Sequence, residues 1–503
     1  MHAPHDMPDA PDPAQANIVA HFLARAGVRG DRPFLVHAGG TLRYDALDRE
    51  TGRLARRLLD LGAAAGDRIV VQVEKSPHAV LLYLAAVRAG LVFVPLNTAY
   101  GAGELGYFIG DAEPAIVVCR PQDGAAVAGI AGAAAVRTLG ADGTGTLLDG
   151  MGDDTAPVAE RAADDVACIL YTSGTTGRSK GAMLTHGNLL SNALTLHDLW
   201  RWAADDVLLH ILPIYHVHGL FVALHGALVA GATVLFHAGF DPDAAIAALG
   251  RATVMMGVPT HYTRLLGNPG LTREACAGVR LFVSGSAPLL AQTHDRFAAV
   301  TGHRILERYG MTETGMIASN PYDGARVAGA VGYALPGVEV RVPGSPAVLE
   351  VRGPNVLKGY WRNPEKTAEA FTADGWFITG DLAEMSADGR ITLVGREKDL
   401  IIAGGLNIYP SEIEDVIDAL PGVTESAVIG VPHADLGEAV VAVVVADAGV
   451  TPEGVIAALD GRLARFKQPR HVTLVAELPR NAMGKVQKAR LRADYAGLFA
   501  PAG

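Results

Sequence analysis

The chain has 503 residues, half of them hydrophobic and 19% charged. It is too long for one hydrophobic core and too apolar for a disordered segment, so two or more globular domains are expected. A formal net charge of −11 argues against a basic nucleic-acid-binding face, while leaving room for local sites that hold an anionic cofactor.

Residues 1–15 are rich in Pro, Ala and Asp and lack the basic start and apolar run of a signal peptide. Cys119, Cys168 and Cys276 are widely spaced and follow no metal-ligand pattern, which argues against a disulfide framework and for a reducing compartment. A cytoplasmic protein is therefore expected. The longest apolar run, Ala79 to Leu96, is interrupted by Arg88 and Gly90, and predicts a buried helix followed by a strand, not a membrane span.

Arg68 to Val73 (RIVVQV) predicts a buried strand and His78 to Arg88 the helix after it. Ala115 to Val118, Ala167 to Tyr171, Thr233 to Phe236 and Arg280 to Val283 are further strand candidates, and their alternation with helical patches gives an α/β fold. Gly124 to Thr155 is Gly- and Ala-rich with weak periodicity. A second, smaller α/β unit starts near Lys398. Its first helix is expected over Ser411 to Leu420, opened by a capping box of Ser411 and Glu414. Glu425 to Val431 and Ala439 to Ala446 follow as strands, and Pro452 to Arg465 as a helix.

The most informative segment is YTSGTTGRSKG, Tyr171 to Gly181, between an apolar strand and a helix-like stretch from Gly187 to Trp200. Thr172, Ser173, Gly174, Thr175, Thr176 and Gly177 can bring backbone N–H groups and hydroxyls to phosphate oxygens, and Lys180 adds positive charge. It is not a Walker A loop, because Ser179 stands where that motif has Gly. YGMTETG (Tyr309 to Gly315), TGD (Thr379 to Asp381), GREKD (Gly395 to Asp399) and PRNAMGKVQK (Pro479 to Lys488) follow in that order.

These five motifs together resemble the adenylate-forming superfamily of acyl-CoA synthetases, luciferases and peptide-synthetase adenylation domains. The resemblance implies a large N-terminal adenylation domain of α/β subdomains, residues 1–397, and a small mobile C-terminal α/β domain, residues 398–503, hinged at Lys398. It implies ATP, Mg²⁺ and coenzyme A, with an acyl-adenylate as intermediate and AMP and pyrophosphate as products. Adenine is expected against Ser286, Ala287 and Pro288 and along Glu307, Arg308, Tyr309, Gly310 and Met311, with Asp381 and Arg396 on the ribose. Thr312 is expected on the α-phosphate, Glu313 with Thr175 on Mg²⁺, and Lys485 as the catalytic cation of the first step. The Gly404-Gly405 turn is expected beside the tunnel for the coenzyme A arm. Lys485 is also a candidate for a lysine acetyltransferase, since acylation would remove its charge.

The resemblance places the acid between PIYHVHGL, GVPTHYTR, VRLFVSGSA and Thr314 to Ala318, an unusually polar wall with His216, Thr260, His261 and Met316 among its residues. They are most similar to malonyl-CoA synthetases. Arg280 is the expected partner of a second carboxylate, because a buried carboxylate needs a paired cation. A synthetase for another small, medium-chain or aryl acid, and a stand-alone domain that loads a carrier protein, remain the alternatives.

Overall fold

The structure is a computed structural model that describes residues 16–172, 179–481 and 485–499. Among these residues the strands form four sheets. The first is nine-stranded, and at its centre Leu306–Met311, Leu281–Ser284, Val254–Gly257, Val207–His210 and Thr233–Phe236 lie side by side and parallel. The second is seven-stranded, with Val166–Thr172, Val92–Pro95, Arg68–Gln72, Ile116–Cys119 and Ala135–Thr138 parallel to one another. A continuous apolar core that includes Phe34 and Leu281 of the first sheet and Ile69 and Phe93 of the second joins the two. In open α/β sheets ligands bind beyond the carboxyl ends of the strands, and Ser286, after Leu281–Ser284, and Thr260, after Val254–Gly257, fall there.

The run from Ala79 to Leu96 folds as expected, into the helix Pro77–Arg88 and the strand Val92–Pro95. Ser76 caps the helix by accepting from the Ala79 N–H at 3.1 Å. Arg88 is buried yet satisfied: it pairs with Asp48 at 2.6 Å and donates to the Ala156 carbonyl at 2.8 Å. No described helix is long and apolar enough to cross a membrane.

A four-stranded antiparallel sheet, Glu339–Arg341, Ala347–Arg352, Phe377–Met385 and Ile391–Arg396, leads to the three-residue turn Glu397–Asp399 that carries Lys398. Beyond it, Ile401–Ala403, Leu406–Ile408, Val423–His433, Gly437–Ala446 and His471–Val475 form the last sheet, packed on the helix Pro410–Asp418 through a separate core that includes Ile413, Ile417, Val428 and Val444.

The expected capping box at Ser411 and Glu414 does not form. The helix starts one residue earlier, after Tyr409, with no side-chain cap. Ser411 Oγ donates instead to the Val394 carbonyl, and Glu414 accepts from the Val428 N–H at 2.6 Å. Tertiary partners outcompete the local ones, and Pro410 already fills a first-turn position that needs no N–H. The helix expected over Pro452 to Arg465 stops at Ala458, and Arg465 opens a separate short turn, Arg465–Lys467.

Candidate active site

The phosphate-binding motif joins two antiparallel strands, Val166–Thr172 and Lys180–Thr185, with Thr172 opposite Lys180. The loop is therefore a hairpin tip, and the helix His186–Leu199 begins only after the second strand. Ser173, Gly174, Thr175, Thr176 and Gly177 lie outside the described residues. Lys180 stands over the Tyr360 ring at 4.8 Å, and no ion pair holds it among the described residues.

Glu313 is buried and faces this hairpin: its Oε1 accepts from Thr172 Oγ1 at 3.3 Å and from the Tyr360 hydroxyl at 3.2 Å. Burial raises its pKa, so a cation beside it would be welcome. No group of three or more His, Cys, Asp or Glu that could hold a metal ion exists among the described residues. Such a site suits a Mg²⁺ ion that takes most of its ligands from phosphate and water and one from a carboxylate.

YGMTETG forms the tight hairpin of Leu306–Met311 and Gly315–Ser319. Gly310 is required there, since a Cβ would lie 2.1 Å from the Gly315 carbonyl oxygen. Thr312 sits in the turn between the strands. The neighbouring loop Ser286-Ala287-Pro288 follows the strand Leu281–Ser284, and Ser286 holds φ at 74°, a costly conformation for a residue with a Cβ. Glu307 fixes that loop by accepting from the Leu289 N–H at 3.3 Å, and burial pushes its carboxyl up to about 7.

Tyr309 was expected to offer its ring to adenine. Its hydroxyl also donates to Asp381 Oδ2 at 2.5 Å, while Arg396 Nε pairs with Asp381 Oδ1 at 3.1 Å. The neighbouring strands Phe377–Met385 and Ile391–Arg396 place Asp381 directly opposite Arg396. Both carboxylate oxygens are thus aimed before any sugar arrives.

Lys485 comes to the same place from the far end of the chain. It is half-buried beside Arg396, Asp381, Lys398 and Asp399, and desolvation together with Arg396 draws its pKa down to about 8. Its backbone is clamped by Asn481, whose Oδ1 accepts from the Lys485 N–H at 2.9 Å and whose N–H donates to the Lys485 carbonyl at 2.9 Å. Lys398 itself is exposed. Gly404 and Gly405 form the turn of the hairpin Ile401–Ala403 and Leu406–Ile408, with φ of 59° and 77°, the left-handed pair that a two-residue turn demands. The turn is exposed, with Ile402 and Leu406 54% and 46% accessible on either side of it.

Arg280 requires a correction. It precedes the strand Leu281–Ser284, about 13 Å of chain from the Ser284 end where the pocket lies. Its Nε and Nη2 hold Asp206 at 2.7 and 2.5 Å, and its Nη1 donates to the Trp200 carbonyl at 3.0 Å. Asp206 also accepts from Thr253 Oγ1 at 2.6 Å, so the pair clasps the amino ends of three neighbouring strands. Arg280 is structural.

Arg308, which the sequence placed with the nucleotide residues, is a buried cation. It is 3% exposed, yet Nε and Nη2 have no hydrogen-bond partner among the described residues. Its guanidinium lies flat against Gly285, where a Cβ would come within 2.4 Å of Cζ. Burial lowers its pKa to about 9. His218, next to it electrostatically, faces Ser286 Oγ at 3.3 Å. Burial holds His216 and His261 neutral, each with a pKa of about 4, and Met316 is buried with its N–H donating to Asn192. Thr260 opens the helix Pro259–Leu266 that carries His261.

A cavity of about 320 Å³ opens between the two large sheets, lined by Lys75, Thr98, Pro213, Tyr215, Phe240 and His261. Lys75 Nζ contacts His210 Nδ1 at 2.9 Å and the His210 carbonyl at 3.0 Å. Sequence reasoning missed Lys75, since only the joining of the two sheets brings it to this wall.

A carboxylate on paired hydroxyls, a pre-aimed Asp–Arg clamp and a lysine delivered from a second domain define an adenylate-forming, AMP-forming acid–CoA ligase. The chain belongs to the AMP-binding enzyme family: that family's profile matches residues 22–361, and the profile of its C-terminal domain matches residues 412–485. Among solved structures it is similar to ATP-bound MatB from Rhodopseudomonas palustris, with 54% identity over 96% of this chain and 100% of that one and a TM-score of 0.93. The apo form of the same protein gives 0.83. Among relatives it is 36% identical to a feruloyl-CoA synthase of an Amycolatopsis species, covering 91% and 95% of the two chains. It is 35% identical to the mitochondrial malonate–CoA ligase of Bos taurus, covering 95% and 91%.

Proposed function

We propose that this enzyme ligates malonate, and by extension its 2-methyl derivative, to coenzyme A at the expense of ATP. The observation that carries the choice of acid is Arg308. A buried guanidinium with two idle N–H edges is costly unless a ligand supplies an acceptor, and a second carboxylate supplies two. The similarity to malonate–CoA ligases supports the same reading.

In the first half-reaction the near carboxylate of the acid attacks the α-phosphorus of ATP and pyrophosphate leaves. Glu313 and Thr175 would hold Mg²⁺, which neutralises phosphate charge when bound. Asp381 and Arg396 fix the ribose, and the Lys485 ammonium stabilises charge gathering on the transferring group. In the second, a thiol displaces AMP from the acyl-adenylate. Rotation at Lys398 then withdraws Lys485 and turns the exposed Gly404-Gly405 hairpin, with its apolar flanks, toward the acceptor. Acetylation of Lys485 would block only the first step, and its depressed pKa leaves the amine nucleophilic enough to be a target.

The test is pyrophosphate release with ATP, Mg²⁺ and coenzyme A across malonate, methylmalonate, succinate, acetate, butyrate and benzoate. Malonate is expected to lead. Arg308→Met should cut kcat/KM for malonate by about 100-fold or more and spare acetate. Preference for benzoate or another monocarboxylate in the unaltered enzyme would overturn the malonate assignment.

A further inference from the structure

The segment that presents Lys485 is itself built as a small rigid unit. Arg480 and Val486 pair as an antiparallel bridge, the Gln487 N–H donates to the Pro479 carbonyl at 2.8 Å, and Asn481 closes both sides of Lys485. Two further cations flank the lysine: Arg480 on the first stem of this hairpin, and Lys488 just past the second, at the start of the helix Lys488–Asp494. Arg480 pairs with Glu425, at the start of the strand Val423–His433. Lys488 pairs at 2.6 Å with Glu414, on the helix Pro410–Asp418. Glu414 also accepts from the Val428 N–H, so it ties helix, strand and hairpin together. Lys488 and Glu414 are only 19% and 16% exposed, and Arg480 and Glu425 27% and 26%, so solvent screens these pairs far less than surface ones.

We propose that Glu414 and Glu425 are positioning residues for the adenylation step: they fasten the two ends of the Lys485 hairpin to the body of the small domain. The two cations on either side of Lys485 are thus each held by a carboxylate of the small domain. Both ion pairs lie within the small domain, so they travel with it and set the same lysine placement at every closure. Displacement of a catalytic group by about 1 Å is enough to lose about two orders of magnitude in rate. The helix and strand that supply the two glutamates hold no other candidate site residue.

This inference rests on Lys485 acting in the first half-reaction, and the experiment separates the two ideas. Pyrophosphate–ATP exchange reports adenylation, and thioester formation from supplied acyl-adenylate reports the second step. Lys485→Ala serves as the reference arm. Glu414→Gln and Glu425→Gln keep shape and an acceptor oxygen while removing the charge. Each is expected to lower exchange about 10-fold or more, with KM for ATP unchanged and thioester formation from supplied adenylate within about two-fold of the unaltered enzyme. The exchanged pair Glu425→Arg with Arg480→Glu should recover most of the lost exchange. Equal losses in both steps would show that the glutamates only stabilise the domain, and unchanged exchange would show that the hairpin holds without them; either outcome overturns the proposal. If Lys485→Ala exchanges normally, it is the role of Lys485 that fails.

Discussion

At the scale of single residues, Arg280, expected at the acid, is committed to Asp206, while Arg308, expected at the nucleotide, keeps two N–H groups without a partner among the described residues. Arg280→Ala is expected to lower stability by about 2 kcal/mol or more, because it strands the Asp206 carboxylate beneath three strands. Thermal melts should show that loss, while the ratio of kcat/KM for malonate over acetate stays unchanged. Lys485 yields a pH prediction. The proposed adenylation role needs its ammonium, and its pKa is lowered to about 8, so the charged form is lost as pH rises through that value. kcat/KM for ATP, which reports the free enzyme, should therefore fall above about pH 8, and a flat profile to pH 10 would exclude the ammonium as the active form. The charged residues of the motifs were legible because each sits in a run whose neighbours have their own jobs: Gly310 beside Tyr309, Thr379 beside Asp381. The acid pocket was not legible in the same way. Nothing in the linear order tells which end of the strand an arginine occupies, or that Asp206 is waiting for one.

Among the elements, the strongest local signals lost to distant partners. Ser411 and Glu414 have the spacing of a capping box, but the packed sheet offers each a better contact, with Val394 and with Val428 and Lys488. The same helix holds Asp418, buried, with Oδ1 unpartnered and its pKa raised to about 7 by burial and the neighbouring carboxylates. The folded state therefore binds a proton that the unfolded state releases near pH 4, and stability falls as pH rises from about 4 to 7. Asp418→Asn should remove that dependence and stabilise the enzyme at pH 8 by about 1–3 kcal/mol, with little effect at pH 4. Calorimetric melts at both values check it. Strands were easier to read than helices, since Thr233–Phe236 and Val166–Thr172 are short apolar runs bounded by turns. The second strand of the phosphate hairpin was missed because KGAMLT carries too few β-branched residues to announce itself.

For the whole molecule, sequence order gave the α/β character and two units, while the arrangement of the parts came only from the pairing. Strands separated by over a hundred residues, such as Pro33–His37 and Thr233–Phe236, lie side by side. No periodicity encodes such a neighbour. The small domain stands with Lys485 beside Asp381 and Arg396. The segments that follow Val207–His210 and Val254–Gly257 carry His216, Thr260 and His261, expected at the acid, and none of the residues expected at the nucleotide; Arg308, inside the run Leu306–Met311, is the exception. That separation bears on how such an enzyme diversifies. A lineage can change its diet of acids by rewriting a few loop positions, while the energy-coupling machinery passes on unaltered to each descendant.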